Sequence, residues 1–161
     1  MALQDKIGGA DGSLQQRQAA GNTLRSKLGH YSGAMFYYEG EWYWGIDRLY
    51  HLETRLKSLG ADKFPDQPPL YSRPSNTVNC DASSLTLEYY ISLRSPYTAV
   101  SWEPTMKLAR ESGINLKIKP VLPMVMRGVP VTRQKGVYIF KDAAREARAQ
   151  GVSYGKFYDP I

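Results

Sequence analysis

The clearest alternation of apolar and polar residues lies between Leu85 and Leu93. In LTLEYYISL an apolar side chain recurs at every second residue, which places these side chains on one face of a β-strand. Ser95 and Pro96 follow, and they suit the N-cap and the first position of a helix. We therefore expect a core strand that runs into a helix. The Ser95 hydroxyl then lies at the positive end of a helix dipole, which favours a thiolate, phosphate or carboxylate, although Ser-Pro is also an ordinary helix start.

The residues after this turn continue a βαβ pattern. The helix should end at Gly113, with a kink at Pro104. Residues 114–123, INLKIKPVLP, alternate as a half-buried strand does. A right-handed crossover would lay this strand parallel to the first. After an irregular stretch with several prolines, the residues from Arg133 return to a helix that Gly151 closes.

The sequence of residues 13–60 predicts a helix, a hairpin and a second helix. Residues 13–28 favour a helix, and two aromatic runs, GAMFYY and EWYWG, flank Glu39-Gly40 as strands of a hairpin do. The second helix, with Asp47 and Arg48 in its first turn, ends at Gly60. Its apolar residues fall on one face: Ile46, Leu49, Leu52, Leu56 and Leu59.

A proline-rich stretch separates the front from the back. Residues 61–84 contain four prolines and almost no apolar periodicity, which is typical of a linker. We therefore divide the chain into two halves joined by a linker: a front segment, residues 1–60, the linker, residues 61–84, and a back segment, residues 85–161.

Composition places the chain among ordinary globular proteins. Of its 161 residues, 42% are hydrophobic and 22% charged, which suits one domain or two small pieces. No stretch approaches the roughly 18 apolar residues of a membrane span, and no basic segment followed by an apolar one opens the chain. We expect a cytoplasmic protein without a membrane partner. The single cysteine, Cys80, excludes dithiol exchange within one chain.

The net charge of +6 lies entirely in the last third of the chain. Residues 1–102 hold ten Lys and Arg against ten Asp and Glu, whereas residues 103–161 hold eleven against five. The basic residues are spaced singly and no RNA- or DNA-binding motif accompanies them, so nucleic acid is an unlikely partner. The two histidines, His30 and His51, show no metal-ligand spacing, and we expect no metal site.

Both segments resemble the DsbA-like thioredoxin-fold family of the 2-hydroxychromene-2-carboxylate isomerase and kappa-class glutathione transferase type. YYISLRSPYTAV, KIKPVLP and RQKGVYIFKDAAREARAQGVSYGKF resemble its opening half. GAMFYYEGEWYWGIDRLYHLETRL is similar to its closing hairpin and helix, with Gly-x-Asp-Arg at Gly45 to Arg48. The two matches together cover about two thirds of the chain.

The resemblance implies a glutathione site. Ser95 would take the place of the first cysteine of a redox CxxC and donate a hydrogen bond to the glutathione thiolate, beside Tyr97 of the same turn. Asp47 would accept from the glutathione ammonium and Arg48 would support its carboxylate. Ala34 stands where the family has a cis-proline whose backbone holds the cysteinyl part. Glutathione would then act as a covalent nucleophile or shuttle for a small aromatic substrate.

The order of the halves is reversed relative to the family. The closing β-β-α elements precede the opening β-α-β elements, and the helical insertion between them is absent. The chain is then either the middle of a longer tandem protein or a circular permutation. A linker of 24 residues spans roughly 70 Å or more when extended, so it permits the halves to assemble within one chain or between two. In both cases the expected fold class is α/β, a thioredoxin-like mixed sheet with helices on both faces.

Two functions from different classes follow. The first is a glutathione-dependent isomerase or transferase-like protein with Ser95 as its catalytic residue. The second is a non-catalytic thioredoxin-like module, or a fragment of a tandem protein, that associates through its aromatic hairpin. Unpaired strand edges and the Trp42 to Trp44 surface favour association, so we expect a homo-oligomer, with or without exchanged halves.

Overall fold

The computed structural model describes residues 12–74 and 80–155, and these form a mixed α and β structure. The elements in chain order are α1 (Gly12–Lys27), β1 (Met35–Tyr38), β2 (Glu41–Trp44), α2 (Leu49–Ser58), β3 (Thr86–Ile91), α3 (Pro96–Ser112), β4 (Asn115–Pro120) and α4 (Arg133–Gln150). One 3-10 turn, Ile46–Arg48, precedes α2, and another, Val125–Arg127, precedes α4. None of the described helices is both long and apolar enough to cross a membrane.

Local signals set the ends of the two long helices. The Ser95 side chain caps α3 by accepting from the Thr98 N–H at 3.4 Å, and Pro96 is the first helical residue, as the sequence predicts. Thr132 caps α4 in the same way. Gly113 and Gly151 follow these helices in the left-handed conformation that stops them. The helix α3 continues through Pro104.

The aromatic runs form the predicted hairpin. β1 and β2 pair antiparallel from Met35 opposite Trp44 to Tyr38 opposite Glu41. The predicted turn lies at Glu39-Gly40, where both residues have positive φ. Tyr43 is almost fully buried, and the Arg145 guanidinium of α4 lies over its ring at 4.3 Å. The helix α4 therefore supplies the cover that the aromatic hairpin requires.

The predicted βαβ unit is also present. β3 and β4 are parallel, with α3 as the crossover between them. On β3, Tyr89 lies towards α3, and its hydroxyl is 2.6 Å from the Ser101 hydroxyl. The alternate residues on β3, including Glu88 and Tyr90, are exposed, so no described element covers the second face of this sheet. Leu85 and Leu93 lie just outside the strand.

The described strands do not form the single mixed sheet that the sequence predicts. They form two separate two-stranded sheets, β1 with β2 and β3 with β4. Among the described residues, the β3–β4 sheet has a helix, α3, on one face only. The halves of the chain meet through side chains of α4 instead of through a shared strand edge, which leaves the outer edges of both sheets unpaired within the described residues.

The apolar core is thin. Among the described residues only four buried apolar side chains are larger than alanine: Tyr43, Ile91, Val100 and Tyr138. Val100 of α3 packs with Ala143 and Ala147 of α4, both of which are fully buried. The two alanines allow the helices to approach closely, so this contact depends on small side chains.

The linker is attached to the rest of the chain. The Glu53 carboxylate of α2 accepts from the backbone N–H groups of Leu70 and Tyr71, at 2.7 and 2.9 Å. The Arg73 guanidinium donates to the Ala149 carbonyl near the end of α4. No helix or strand lies in the described part of residues 61–84, as the prolines predict, but side chains hold it against α2 and α4.

A larger residue at the α3–α4 contact should destabilise the fold. We expect Ala143→Leu to lower the free energy of unfolding by roughly 2 kcal/mol, because the added atoms have no room between the helices. Urea denaturation checks this, with Ala149→Leu at an exposed position of α4 as the control. Equal stability of the two variants would contradict the close packing described above.

Candidate functional site

Two acidic side chains are buried on one face of α4. Asp142 is 1% exposed and Glu146 is 8% exposed, and each lies one turn after the preceding member of the series Tyr138, Asp142, Glu146. Burial of a carboxylate is costly unless it is paired and hydrogen-bonded, so each needs several partners. The structure supplies them from both halves of the chain.

Asp142 joins three elements. The Arg48 Nε lies 3.1 and 3.2 Å from its Oδ1 and Oδ2, and the Arg48 Nη2 is 3.2 Å from Oδ2. The Tyr97 hydroxyl, at the start of α3, donates to Oδ2 at 2.8 Å. The Tyr138 hydroxyl donates to Oδ1 at 3.4 Å and accepts from the Trp44 N–H at 3.1 Å. One carboxylate therefore holds the hairpin, the start of α3 and the 3-10 turn before α2 together.

Glu146 binds the next turn of the front segment. Its Oε1 accepts from the Tyr50 hydroxyl, lies 2.8 Å from the His51 Nε2 and is 3.4 Å from the Arg48 Nε. Burial by itself would raise the pKa of Glu146, but the hydrogen bonds from His51 and Tyr50 and the charge of Arg48 lower this pKa to about 2. Glu146 is therefore ionised at neutral pH.

The tyrosines around Asp142 are fixed as hydrogen-bond donors. Burial, followed by the nearby charge of Asp142, raises the pKa of both Tyr97 and Tyr138. For Arg48, burial would lower the pKa, but the bonds and charge of Asp142 and Glu146 outweigh it and raise the pKa above its usual value. The network contains a permanent cation and protonated phenols at neutral pH.

A cleft of about 380 Å³ opens beside this network. Its lining residues are Trp44, Gly45, Asp47, Arg48, Tyr97, Tyr138 and Asp142. The Asp47 side chain is 71% exposed, whereas the Arg48 side chain is 20% exposed and already binds Asp142 and Asp47. The lining therefore carries two carboxylates against one guanidinium, an excess that favours a ligand with a cationic group at this position.

Gly45 makes the position of Asp47 possible. A Cβ on Gly45 would lie 2.9 Å from the Asp47 Oδ1, and its φ of +71° belongs to the region that favours glycine. Asp47 can therefore turn back towards the end of β2, where its Oδ2 accepts from the Arg48 Nη1 at 2.8 Å. The glycine of the Gly-x-Asp-Arg sequence is therefore required by geometry, because a side chain at this position would collide with the Asp47 carboxylate.

Three of the five residues identified from the sequence come together in this cleft: Asp47, Arg48 and Tyr97. Ser95 and Ala34 do not line it. Ser95 lies two residues before Tyr97 as the N-cap of α3. Ala34 has a φ of +54°. Its carbonyl accepts at 3.1 Å from the N–H of Gly45, which does line the cleft.

The residues that organise the site, on α4, are not among those that the sequence predicts. Asp142, Glu146 and Tyr138 recur every fourth residue on the face of α4 that also carries Ala143 and Ala147. Carboxylates that share a helix face with small apolar residues indicate buried acids, and this pattern is the one by which the sequence indicates Asp142 and Glu146. Among the described residues, no group of three or more His, Cys, Asp and Glu side chains is placed to hold a metal ion.

Comparison of the chain with family models, with curated proteins and with solved structures finds no match.

The buried and exposed partners of Arg48 should differ in their contribution to stability. We expect Asp142→Asn to lower the free energy of unfolding by about 3 kcal/mol, because it leaves a half-buried guanidinium without its main counter-charge. Asp47→Asn removes the exposed partner of the same guanidinium and should cost less than about 1 kcal/mol. Urea denaturation of the pair measures the contrast, and similar losses for both would refute it.

Glu146 should make stability depend on pH in the acidic range. The pKa of Glu146 is about 2 in the folded protein against an ordinary value of 4.5, so its contribution to stability is complete above pH 4.5 and is lost as the pH falls towards 2. The difference in unfolding free energy between the native chain and Glu146→Gln should therefore shrink over that interval. Glu103→Gln, exposed on α3, controls for the loss of one negative charge. A difference that stays constant between pH 2 and 4.5 would contradict this assignment.

Proposed function

We propose that this protein is a glutathione-dependent isomerase or transferase-like protein that acts on a small aromatic substrate. The observation that carries the proposal is the convergence of Asp47 and Arg48 from the front segment with Tyr97 from the back segment on one cleft. The resemblance of the sequence to the glutathione-dependent branch of the thioredoxin-fold family implies the same three residues.

The charges of the cleft fit the ammonium end of glutathione. The exposed Asp47 carboxylate is accessible to an ammonium group, and Arg48 holds it in place through a 2.8 Å bond. Arg48 is itself fixed by Asp142, so its role here is to position Asp47 and to present its remaining edge to a ligand carboxylate. Tyr97 is fixed by its bond to Asp142 and forms one wall.

The Ser95 hydroxyl completes the proposed site at the start of α3. Its Oγ accepts from the Thr98 N–H, which leaves its own proton available for donation. A hydrogen bond from this group, added to the dipole of a 17-residue helix, stabilises an anion at this place. Bound there, glutathione supplies the thiol nucleophile for the aromatic substrate. Ala34 contributes backbone beside the cleft.

Calorimetric titration with glutathione tests the proposal. Asp47→Ala should weaken binding about tenfold by removing a charge-assisted hydrogen bond, and Ser95→Ala should weaken it by a smaller factor. Thr132→Ala, which removes the equivalent cap from α4, is the matched control and should bind as the native chain does. S-methylglutathione has no free thiol, so its binding should depend on Asp47 and not on Ser95.

Failure of the native chain to bind glutathione at millimolar concentration would overturn the proposal. An equal effect of Ser95→Ala and Thr132→Ala would show that the serine acts only as a cap, which would remove it from the site.

A second candidate function rests on the unpaired strands. Both two-stranded sheets have free outer edges among the described residues, and apolar side chains such as Tyr90 and Ile118 are exposed beside them. In this alternative the chain is a non-catalytic thioredoxin-like module, and edge pairing between copies builds the mixed sheet. Sedimentation at several concentrations distinguishes it, because a strict monomer counts against pairing between chains.

A further inference from the structure

A second and larger cleft lies on the other side of Tyr138. It measures about 490 Å³ and lies between the hairpin, the turn after α1 and the outer face of α4. Its volume falls within the range of small-molecule sites. Its lining includes His30 and Trp42 on one side and Arg133, Lys141, Arg145 and Arg148 of α4 on the other.

The cleft has an excess of positive charge. Four cations of α4 line it, and Glu41 is the one carboxylate in the lining. Arg145 is engaged, because its Nη1 donates to the Trp42 carbonyl at 3.1 Å and lies 3.6 Å from Asp142. The other three cations, Arg133, Lys141 and Arg148, have no ion-pair partner among residues 12–74 and 80–155. The lining therefore favours an anion.

His30 adds a buried donor without an acceptor. It is 3% exposed, and its Nδ1 accepts from the Ser32 N–H at 3.0 Å. Burial lowers the pKa of His30, so the ring is neutral at pH 7 and its one proton is on Nε2. In the described part of the chain this Nε2 has no hydrogen-bond partner. Buried donors are normally satisfied, and because this atom is closed to solvent as well, it is an unmet donor inside the wall of the cleft and not a contact for a ligand.

Apart from Gln134, the remaining side chains of the lining are aromatic and aliphatic. The Trp42 ring lies 4.8 Å and the Tyr138 ring 5.0 Å from the His30 ring, and Val137 contributes an aliphatic wall. A ligand that fits this cleft therefore combines an anionic group with a flat apolar body.

We propose that this cleft is a binding site for an organic phosphate, a phosphate monoester of a flat apolar group. The phosphate lies between Lys141 and Arg148, which are two turns apart on one face of α4, and the apolar body lies against Trp42 and Val137. A phosphate matches the lining better than a carboxylate because it carries more negative charge and a third acceptor oxygen.

Four probes separate the parts of this proposal. 1-Naphthyl phosphate carries both the anion and the apolar body, inorganic phosphate carries only the anion, 1-naphthol only the apolar body, and 1-naphthoate replaces phosphate by carboxylate. Fluorescence or calorimetric titration of the full chain should show saturable binding that is tightest for 1-naphthyl phosphate. Binding of 1-naphthoate with equal affinity, or no saturable binding of 1-naphthyl phosphate at millimolar concentration, would overturn the proposal.

Variants locate the binding. Lys141→Gln and Arg148→Gln should each weaken 1-naphthyl phosphate about fivefold, whereas Lys117→Gln, an equal loss of charge on β4, should have no effect. Asp47→Ala lies in the first cleft and should leave the affinity unchanged, so the result is independent of glutathione binding. An equal loss in Lys117→Gln would show a nonspecific charge effect and overturn the site.

Discussion

The arrangement of the chain depends on the ion pair and hydrogen bonds that the buried carboxylate of Asp142 makes with its partners. Desolvation of this carboxylate is costly, and the structure offsets this cost with a guanidinium in two-atom contact and with two phenol donors. These partners come from the 3-10 turn before α2, from the start of α3 and from α4 itself. Removal of any one of them leaves a buried charge that the others compensate only in part, so the network behaves as a unit.

This polar network holds the two halves of the chain together, as an apolar core does in most domains. The contact between the front and back of the chain rests on Asp142, Glu146 and Arg145, whereas the largest apolar cluster of buried residues joins α3 to α4 within the back segment. Apolar burial is nondirectional, but paired charges with fixed hydrogen bonds accept one geometry. The same polar contacts therefore define the docking of the halves and the shape of the cleft between them.

Local structure was predictable from the sequence because its causes are local. The alternation of Leu87, Tyr89 and Ile91 places one face of β3 against α3, and Ser95-Pro96 starts α3 where a cap and a proline are both favoured. The separation of the strands into two sheets was not predictable in this way, since edge pairing depends on contacts between distant residues. The partners of Asp142 outside α4, Tyr97 and Arg48, lie 45 and 94 residues away along the chain, and no spacing rule for helices or strands reaches that far.

The attachment of the linker to α2 and α4 changes how far the two halves can separate. The N–H groups of Leu70 and Tyr71 are held by Glu53, and the N–H of Ala82 donates to the Ser112 carbonyl. Ten residues separate these two attachments, and ten residues span at most roughly 35 Å. A shorter tether raises the effective concentration of each half near the other. A tether of this length favours closure within one chain, so loss of the Glu53 contact would lower the protein concentration at which exchange between chains competes.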